Sequence, residues 1–267
     1  MNILKRFMIW LKLRLNRYQL GLIPQPEDKR DFKYKPVGAA LDEVDLFEDD
    51  YPIRSQNPYN SCVGHSAGYL MARFMDSILP DMDYYEKFVN VSEAFIWVMA
   101  KYEEGSLSNN DGVVARNAFK VIQKYGFIGR SFYDFRDGAY KLPSEDVLAL
   151  ANMQKLLLMY LPEYRSIGKN LTRKMQYMKD AISTGSPISI AIPVNSNFMS
   201  YRGGVFSENT GTFRGYHDVV IGGYETVNGQ VIYKGRNSWG TRWGERGYFY
   251  VTEKFLKDNA FDIWTLQ

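Results

Sequence analysis

Asn237-Ser238-Trp239-Gly240-Thr241-Arg242-Trp243-Gly244-Glu245-Arg246-Gly247-Tyr248 is the stretch whose reading decides the fold. Gly240, Gly244 and Gly247 let a chain turn sharply and let backbones approach closely, and Trp239 is large enough to cover a polar pair from water. Working outward, Tyr248–Val251 alternates as a strand does. So do Val231–Lys234 and Val219–Tyr224 upstream, with Asn and Gly turns between them. Ile188, Ile190 and Ile192 alternate after Pro187. His217 opens the strand His217-Asp218-Val219-Val220-Ile221 in this reading, and a residue at a strand end is expected to face a cleft.

Further upstream the period changes to that of helices. Val63, Ala67, Leu70, Met71, Phe74 and Met75 share one face of a segment that starts near Ser61 and ends at Pro80. Ser92 opens a second helix that runs to about Glu104. A third lies between Gly112 and Gly126, and residues 144–160 and 171–183 read as two more. Helices first and strands last imply an α+β fold of two lobes, with a cleft between them. The expected organisation is a basic amphipathic helix over 1–20, a connector over 21–50 and one domain over 51–267. Within that domain a helical lobe spans about 51–165 and a β-rich lobe about 166–267.

Composition narrows the chemistry. The chain has 267 residues, 45% hydrophobic and 24% charged, which is globular and neither disordered nor collagen-like. Aromatics reach 15%, enough to fill a core and line a cleft. Net charge is +3, too little to argue for nucleic acid. One cysteine, Cys62, excludes an internal disulfide and any multi-thiolate zinc site, and permits a reducing compartment. With only His65 and His217 besides, no metal and no cofactor is expected. Cys62 sits at the start of a helix, after the turn-forming run Asn57-Pro58-Tyr59-Asn60-Ser61. A helix start lowers a thiol pKa and offers unpaired N–H groups to an oxyanion. Gln56 is placed to supply a second donor.

The order Gln56…Cys62…His217…Asn237 resembles that of the papain-like cysteine peptidases. Cys62-Val-Gly-His-Ser-Ala67 is similar to that family's nucleophile helix, and His217-Asp-Val-Val-Ile-Gly-Gly-Tyr224 to its histidine strand. Asn237-Ser-Trp-Gly…Trp243-Gly-Glu-x-Gly-Tyr248 is similar to its most specific motif. Val91-Ser-Glu93 and Asp111-Gly112…Tyr125-Gly126 match weaker positions. Pro26–Phe32 is similar to an N-terminal segment of bacterial and viral members. The resemblance covers about residues 22–265 and implies a papain-like fold and peptide-bond hydrolysis. It implies Cys62 as nucleophile, His217 as its base and acid, and Asn237 as the group that orients the imidazole. Gln56 with the Cys62 N–H forms the oxyanion hole in this reading, Trp239 shields the His–Asn bond, and Gly112 is the cleft glycine against which substrate pairs.

The departures set further expectations. Val63 replaces the family's Trp beside the nucleophile, and Tyr59 replaces a half-cystine. Asp218 stands where Ala is usual. It raises the imidazolium pKa if its carboxylate is near, and does nothing if the strand turns it to the other face. An inhibitory pro-region is not expected, because residues 1–50 are too short for the family's long helical one. His65, three residues from Cys62, is expected to be a buried structural histidine rather than a catalytic or metal-binding one.

Lys5, Arg6, Lys12, Arg14 and Arg17 precede any acid and leave a net charge of −2 for the rest of the chain. With Ile3, Phe7, Leu11, Leu15 and Tyr18 near one face, residues 3–18 read as a helix that docks on a membrane surface or partner protein, or packs on its own body. The sequence contains neither a signal-peptide pattern nor a transmembrane stretch, so a cytoplasmic or virion-associated protein is expected. The partner is a peptide or protein substrate. Two rivals share the motifs: a papain-fold binding or structural module of a larger assembly, and a thioester acyl-transferase or isopeptidase.

Overall fold

The computed structural model describes residues 18–38, 41–48, 51–78, 91–157, 162–168 and 171–267. The basic helix expected over residues 3–18 lies outside them except for Tyr18. Helices α1 (Cys62–Ile78), α2 (Glu93–Glu103), α3 (Ala115–Tyr125) and α4 (Glu145–Leu157) build the first lobe. Ser92 caps α2, its hydroxyl accepting from the Phe95 N–H at 3.0 Å and donating to the Tyr133 carbonyl at 2.6 Å. Such a cap contributes about 1 kcal/mol. Gly126 ends α3 at φ +87°, a conformation that side chains disfavour. Leu70, Phe95, Trp97 and Phe119 centre the core of this lobe.

The second lobe is a mostly antiparallel sheet. Its strands are β1 (Val44–Asp45), β2 (Tyr164–Ser166), β3 (Ile188–Asn195), β4 (Val205–Phe206), β5 (Phe213–Val227), β6 (Gln230–Arg236), β7 (Tyr248–Thr252) and β8 (Phe261–Leu266). The order is β2-β8-β3-β5-β6-β7-β4, with β1 on β5 and only β4–β7 parallel. Helices α5 (Leu171–Ser183) and α6 (Glu253–Asn259) pack on this lobe. Ile190, Ile192, Val219, Trp243 and Phe249 share a second core.

The central strand β3 does not alternate in burial. Ile188, Ile190 and Ile192 enter the second core, while Ala191 enters the core of the helical lobe, so both faces are covered. That double cover is where the lobes meet. Register explains the rest of the site. β5 pairs with β3 so that His217 lies opposite Ile192 and Asp218 opposite Ala191. β6 pairs with β5 at Val220–Arg236, and extending this register past Arg236 brings Asn237 and Trp239 alongside His217.

Three expectations need correction. His217 does not open its strand, because β5 begins at Phe213 and pairs with β3 as far as Asn195. Residues 21–50 are more than a connector. β1 joins the sheet and Phe47 is buried, its ring 6.0 Å from that of Tyr69 on α1. Arg116 on α3 grips Asp31 with two bonds of 2.6 Å, both side chains being largely buried. The sequence also understated Tyr59. Its ring stacks on Phe135 at 4.8 Å and lies near Trp97 and Tyr140. An aromatic cluster fills the place of the half-cystine.

Candidate active site

Cys62 is the first residue of α1 and is wholly buried, as is His217 on β5. The His217 Nε2 lies 2.8 Å from Asn237 Oδ1. That oxygen also accepts from the Ser238 N–H at 2.7 Å, so the amide presents an acceptor and the imidazole carries its proton on Nε2. This leaves Nδ1 as the basic nitrogen, buried and without a hydrogen-bond partner. Trp239 stacks on the imidazole, centroids 4.5 Å apart and planes within 22°. Trp243 stands edge-on behind Trp239 at 5.2 Å. The half of the site carried by the sheet is therefore assembled and buried.

The half carried by the helix is occupied. Residues 18–23 run through the cleft as an extended strap. Tyr18 stacks on the Trp239 ring at 4.8 Å, and Trp239 Nε1 donates to the Gln19 carbonyl at 2.9 Å. The backbone N–H groups of Asp218, Gly21 and Val63 favour the thiolate of Cys62 and so stand near its sulfur. The Gly21 carbonyl accepts from the Val113 N–H at 3.0 Å, and the Ile23 N–H donates to the Val113 carbonyl at 3.1 Å, a parallel bridge. From the other lobe the Tyr216 carbonyl takes the Leu22 N–H at 3.4 Å. Six residues thus join both lobes across the nucleophile. A strap this short fits within residues 1–50, where the family's long helical pro-region does not.

The strap fits because Gly112 and Gly21 carry no side chains where the backbones pass. A Cβ on Gly112 would stand 2.0 Å from the Gly21 carbonyl oxygen, and one on Gly21 would stand 1.9 Å from the Asn60 carbonyl oxygen. Gly112 is thus at the cleft as expected, but Val113, one residue on, makes the backbone pairing. Lys101 holds this loop from beneath, its buried Nζ donating to Asn109 Oδ1 and to the Asp111 carbonyl at 2.9 Å each.

Protonation follows from this burial. A helix N-terminus carries roughly half a positive charge, whereas complete desolvation can move a pKa by about 3–5 units. Desolvation wins. It pushes the Cys62 thiol up to about 12, with Asp218 adding to the rise. It also pushes His217 down to about 4, against the hydrogen bond from Asn237 that favours the imidazolium. Burial thus favours the uncharged forms of both groups under the strap. The sulfur is surrounded by backbone N–H groups, and the expected sulfur–imidazole hydrogen bond is not made.

Gln56 is buried beside them. Its Oε1 accepts from the Ser238 hydroxyl at 2.6 Å, and its Nε2 donates to the Tyr59 carbonyl at 3.1 Å within its own turn. Ser238 was not singled out in the sequence, though it stands inside the motif that was. His65 is turned elsewhere. Its Nδ1 lies 3.0 Å from the Ser61 carbonyl, its ring stacks on Phe135 at 6.0 Å, and burial lowers its pKa. Among the described residues no group of three or more His, Cys, Asp or Glu could hold a metal ion.

A family model described as "Papain family cysteine protease" matches residues 43–262. The chain belongs to that family. It is 28% identical over 227 residues to a cathepsin B-like protein, CP2, of Giardia intestinalis, covering 80% of this chain and 71% of that one. It is 26% identical over 241 residues to fruit bromelain of Ananas comosus, covering 86% of this chain and 55% of bromelain. The chain therefore spans only about half the length of some relatives that it matches. Among solved structures, xylellain, a cysteine protease from Xylella fastidiosa, superposes with a TM-score of 0.78 at 24% identity, covering 94% of this chain and 96% of that one. That likeness establishes the two-lobed papain-like architecture. Peptide-bond hydrolysis by a cysteine nucleophile is the chemistry of this family.

Proposed function

We propose that this protein is a cysteine peptidase held latent by its own residues 18–23. The observation that carries the reading is the strap bonded to Val113 on one lobe and to Tyr216 on the other, across a buried Cys62 beside an assembled His217–Asn237 pair. When the strap leaves, water reaches the cleft and the desolvation that keeps both groups neutral is relieved. Cys62 then passes its proton to His217 Nδ1, giving a thiolate–imidazolium pair. The thiolate attacks the substrate carbonyl, and the oxyanion takes the Cys62 N–H and the Gln56 side-chain amide, held by Ser238. His217 gives its proton to the leaving amine, and a thioester remains. Water, deprotonated by His217, then cleaves the thioester. Asn237 accepts from Nε2 throughout and keeps the ring in register, while Trp239 excludes water from that bond. The backbone of Val113, freed of Gly21 and Ile23, offers one N–H and one carbonyl to an extended peptide.

The substrate class is a peptide or protein, and no cofactor enters the scheme. No helix among the described residues is long and apolar enough to cross a membrane. A lone thiol and an aromatic cluster in place of a half-cystine suit a reducing compartment.

The test treats the full chain with an electrophilic peptide probe and follows the Cys62 adduct by mass spectrometry, together with turnover of a fluorogenic peptide library. Labelling confined to Cys62 and turnover, both slow in the full chain, faster in Gly21→Ala, where an added Cβ displaces the strap, and lost in His217→Ala, are the expected result. A Gly21→Ala chain in which Cys62 is labelled but no peptide is turned over would leave a binding module as the better reading.

A further inference from the structure

The start of β8 carries an irregularity that no catalytic step uses. Ser189 on β3 pairs with Trp264 and Ala191 with Phe261, so two steps along β3 face three along β8. The extra residue makes a β-bulge, and Asp262 within it has φ +47°. That is left-handed backbone, which a residue other than glycine adopts at a cost. A bulge re-aims a side chain. Here the side chain meets the segment that continues from the strap. Gln25 Nε2 donates to Asp262 Oδ1 at 3.1 Å. Trp264 Nε1 donates to the same oxygen at 2.7 Å and holds the carboxyl group from within β8.

Gln25 is held ready for this contact by its neighbours. It stands between Pro24 and Pro26. The Pro26 ring disfavours helical backbone at Gln25 and keeps it extended, so a stiff stretch of chain presents the amide. After Gln25 the chain is anchored on the helical lobe. Arg116 Nη2 donates to the Pro26 carbonyl at 3.1 Å, and the same side chain grips Asp31. Before Gln25 the chain is paired to that lobe through Ile23 and Val113. Its ties to the sheet lobe are fewer. Gln19 accepts from Trp239 at 2.9 Å, and the Leu22 N–H reaches the Tyr216 carbonyl over a long 3.4 Å. Gln25 adds a third tie, made by a side chain and ending on a carboxyl group, the stronger kind of acceptor. It lies close to the second, because the Phe261 ring, next to Asp262, stands edge-on to the Tyr216 ring at 5.5 Å.

The contact is sheltered. Gln25 and Asp262 line a cavity of about 20 Å³ with Asp31, Arg116 and Trp264. Gln25 Oε1 and Asp262 Oδ2 are buried without hydrogen-bond partners. Arg116 is committed to Asp31 and Pro26, so among the described residues the hydrogen bonds to Asp262 come from Gln25 and Trp264. Burial pushes the Asp262 pKa up, and these two bonds oppose the push. Lifting the strap takes one of two donors from a sheltered carboxyl group, and that loss resists the lifting.

We propose that Gln25 and Asp262 form the latch of the strap: the bulge of β8 presents a carboxyl group to the chain beyond Ile23, and this one contact sets how often the cleft opens over Cys62. The inference rests on residues 18–23 being the block on the active site. Asp262 touches neither nucleophile nor imidazole in this role and acts through the strap.

The experiment measures the rate of Cys62 carboxamidomethylation by iodoacetamide at neutral pH in the full chain, together with hydrogen exchange of the Ile23 N–H. Asp262→Gly removes the carboxyl group and leaves a residue at ease at φ +47°, so the fold should be kept. Gln25→Ala removes the donor from a half-buried position. Each should raise both rates by about tenfold, the scale of one hydrogen bond to a charged group. The double variant should be no faster than either single one, because both remove the same contact. Gln25→Glu sets two acids against each other and should be faster still. Joining it to Asp262→Asn reverses donor and acceptor and should return the rate toward wild type, which a mere loss of packing would not do. In a Gly21→Ala chain, whose strap is already displaced, Gln25→Ala should add nothing. Wild-type rates in Gln25→Ala and Gln25→Glu would overturn the latch, as would additive effects in the double variant. Gly21→Ala alone separates the two readings. If it raises labelling while the Gln25 variants do not, only the latch fails. If it leaves labelling unchanged, the block by residues 18–23 fails and the latch with it.

Discussion

The two halves of the active site are in different states. On the sheet, His217, Asn237, Trp239 and Trp243 are bonded and stacked as a working site requires. On the helix, Cys62 is held by the strap's backbone and Gln56 donates into its own turn. The sheet half rests on strand register and a close-packed aromatic core, which do not rearrange cheaply. The helix half rests on a few backbone hydrogen bonds between short segments, each contributing about 0.5–1.5 kcal/mol. In the proposed latent form the block falls on the half that can be released at small cost, and the half that is hard to build stays built.

The sharpest way to break this comparison is to damage the finished half. His217→Ala should lower peptide turnover by about 10⁴-fold or more, the scale seen when one member of such a catalytic unit is removed. Its thermal unfolding should show whether the sheet half still folds. A variant that retains turnover would show that the assembled pair is not the working one.

Next in size is Gly21→Ala, which acts on the strap alone. The added Cβ would stand 1.9 Å from the Asn60 carbonyl oxygen, on backbone that has little freedom to move. The strap should be displaced, and Cys62 labelling by a small electrophile at neutral pH should rise by about 10- to 100-fold, equivalent to roughly 1.4–2.8 kcal/mol. Global stability should change little. An unaltered labelling rate would mean that the strap does not gate the sulfur.

The smallest effect is set by pH. His217 titrates near 4 under the strap and nearer 6.5 when solvated. Its pKa is depressed in the closed form, so the closed form is favoured above about 6.5 and loses that advantage as pH falls toward 4. The thiol of Cys62, raised to about 12, has the opposite sign and disfavours closure as pH rises past about 8.5. Hydrogen exchange at Ile23, whose N–H is bonded to Val113, should therefore be slowest, after correction for intrinsic rate, near neutral pH and faster by severalfold at about pH 5. Exchange that shows no acid-side acceleration would separate the strap from the protonation of His217.

The sheet half was largely readable in the sequence, and the strap was not. Strand periods, the turn glycines and the covering tryptophan are local features, and the family resemblance of the motifs that hold them implied the pairing of Asn237 with His217. The double burial of β3 hid His217's position in mid-strand, because alternation reports one buried face and here the other lobe covers the second. The strap escaped because extended backbone that pairs with a distant loop has no period of its own. Leu20-Gly21-Leu22-Ile23-Pro24 did carry a cue, a glycine set among apolar residues just before a proline. That pattern fits an extended segment passing close to another backbone. Asp218 was legible as an oddity, and the structure turns its carboxylate to the Ser189 hydroxyl on β3, away from the face of His217.

The stack of Tyr59 on Phe135 bears on the protein's response to oxidants. A cross-link of two sulfurs exists in two chemical forms, and a cleft built on one changes when it is reduced. A wall of rings has one form. Cys62 is the chain's lone thiol, and the strap shields it from peroxide as it does from substrate. The closed molecule should therefore pass through oxidising surroundings with its nucleophile intact, and become vulnerable in the same opening that makes it active.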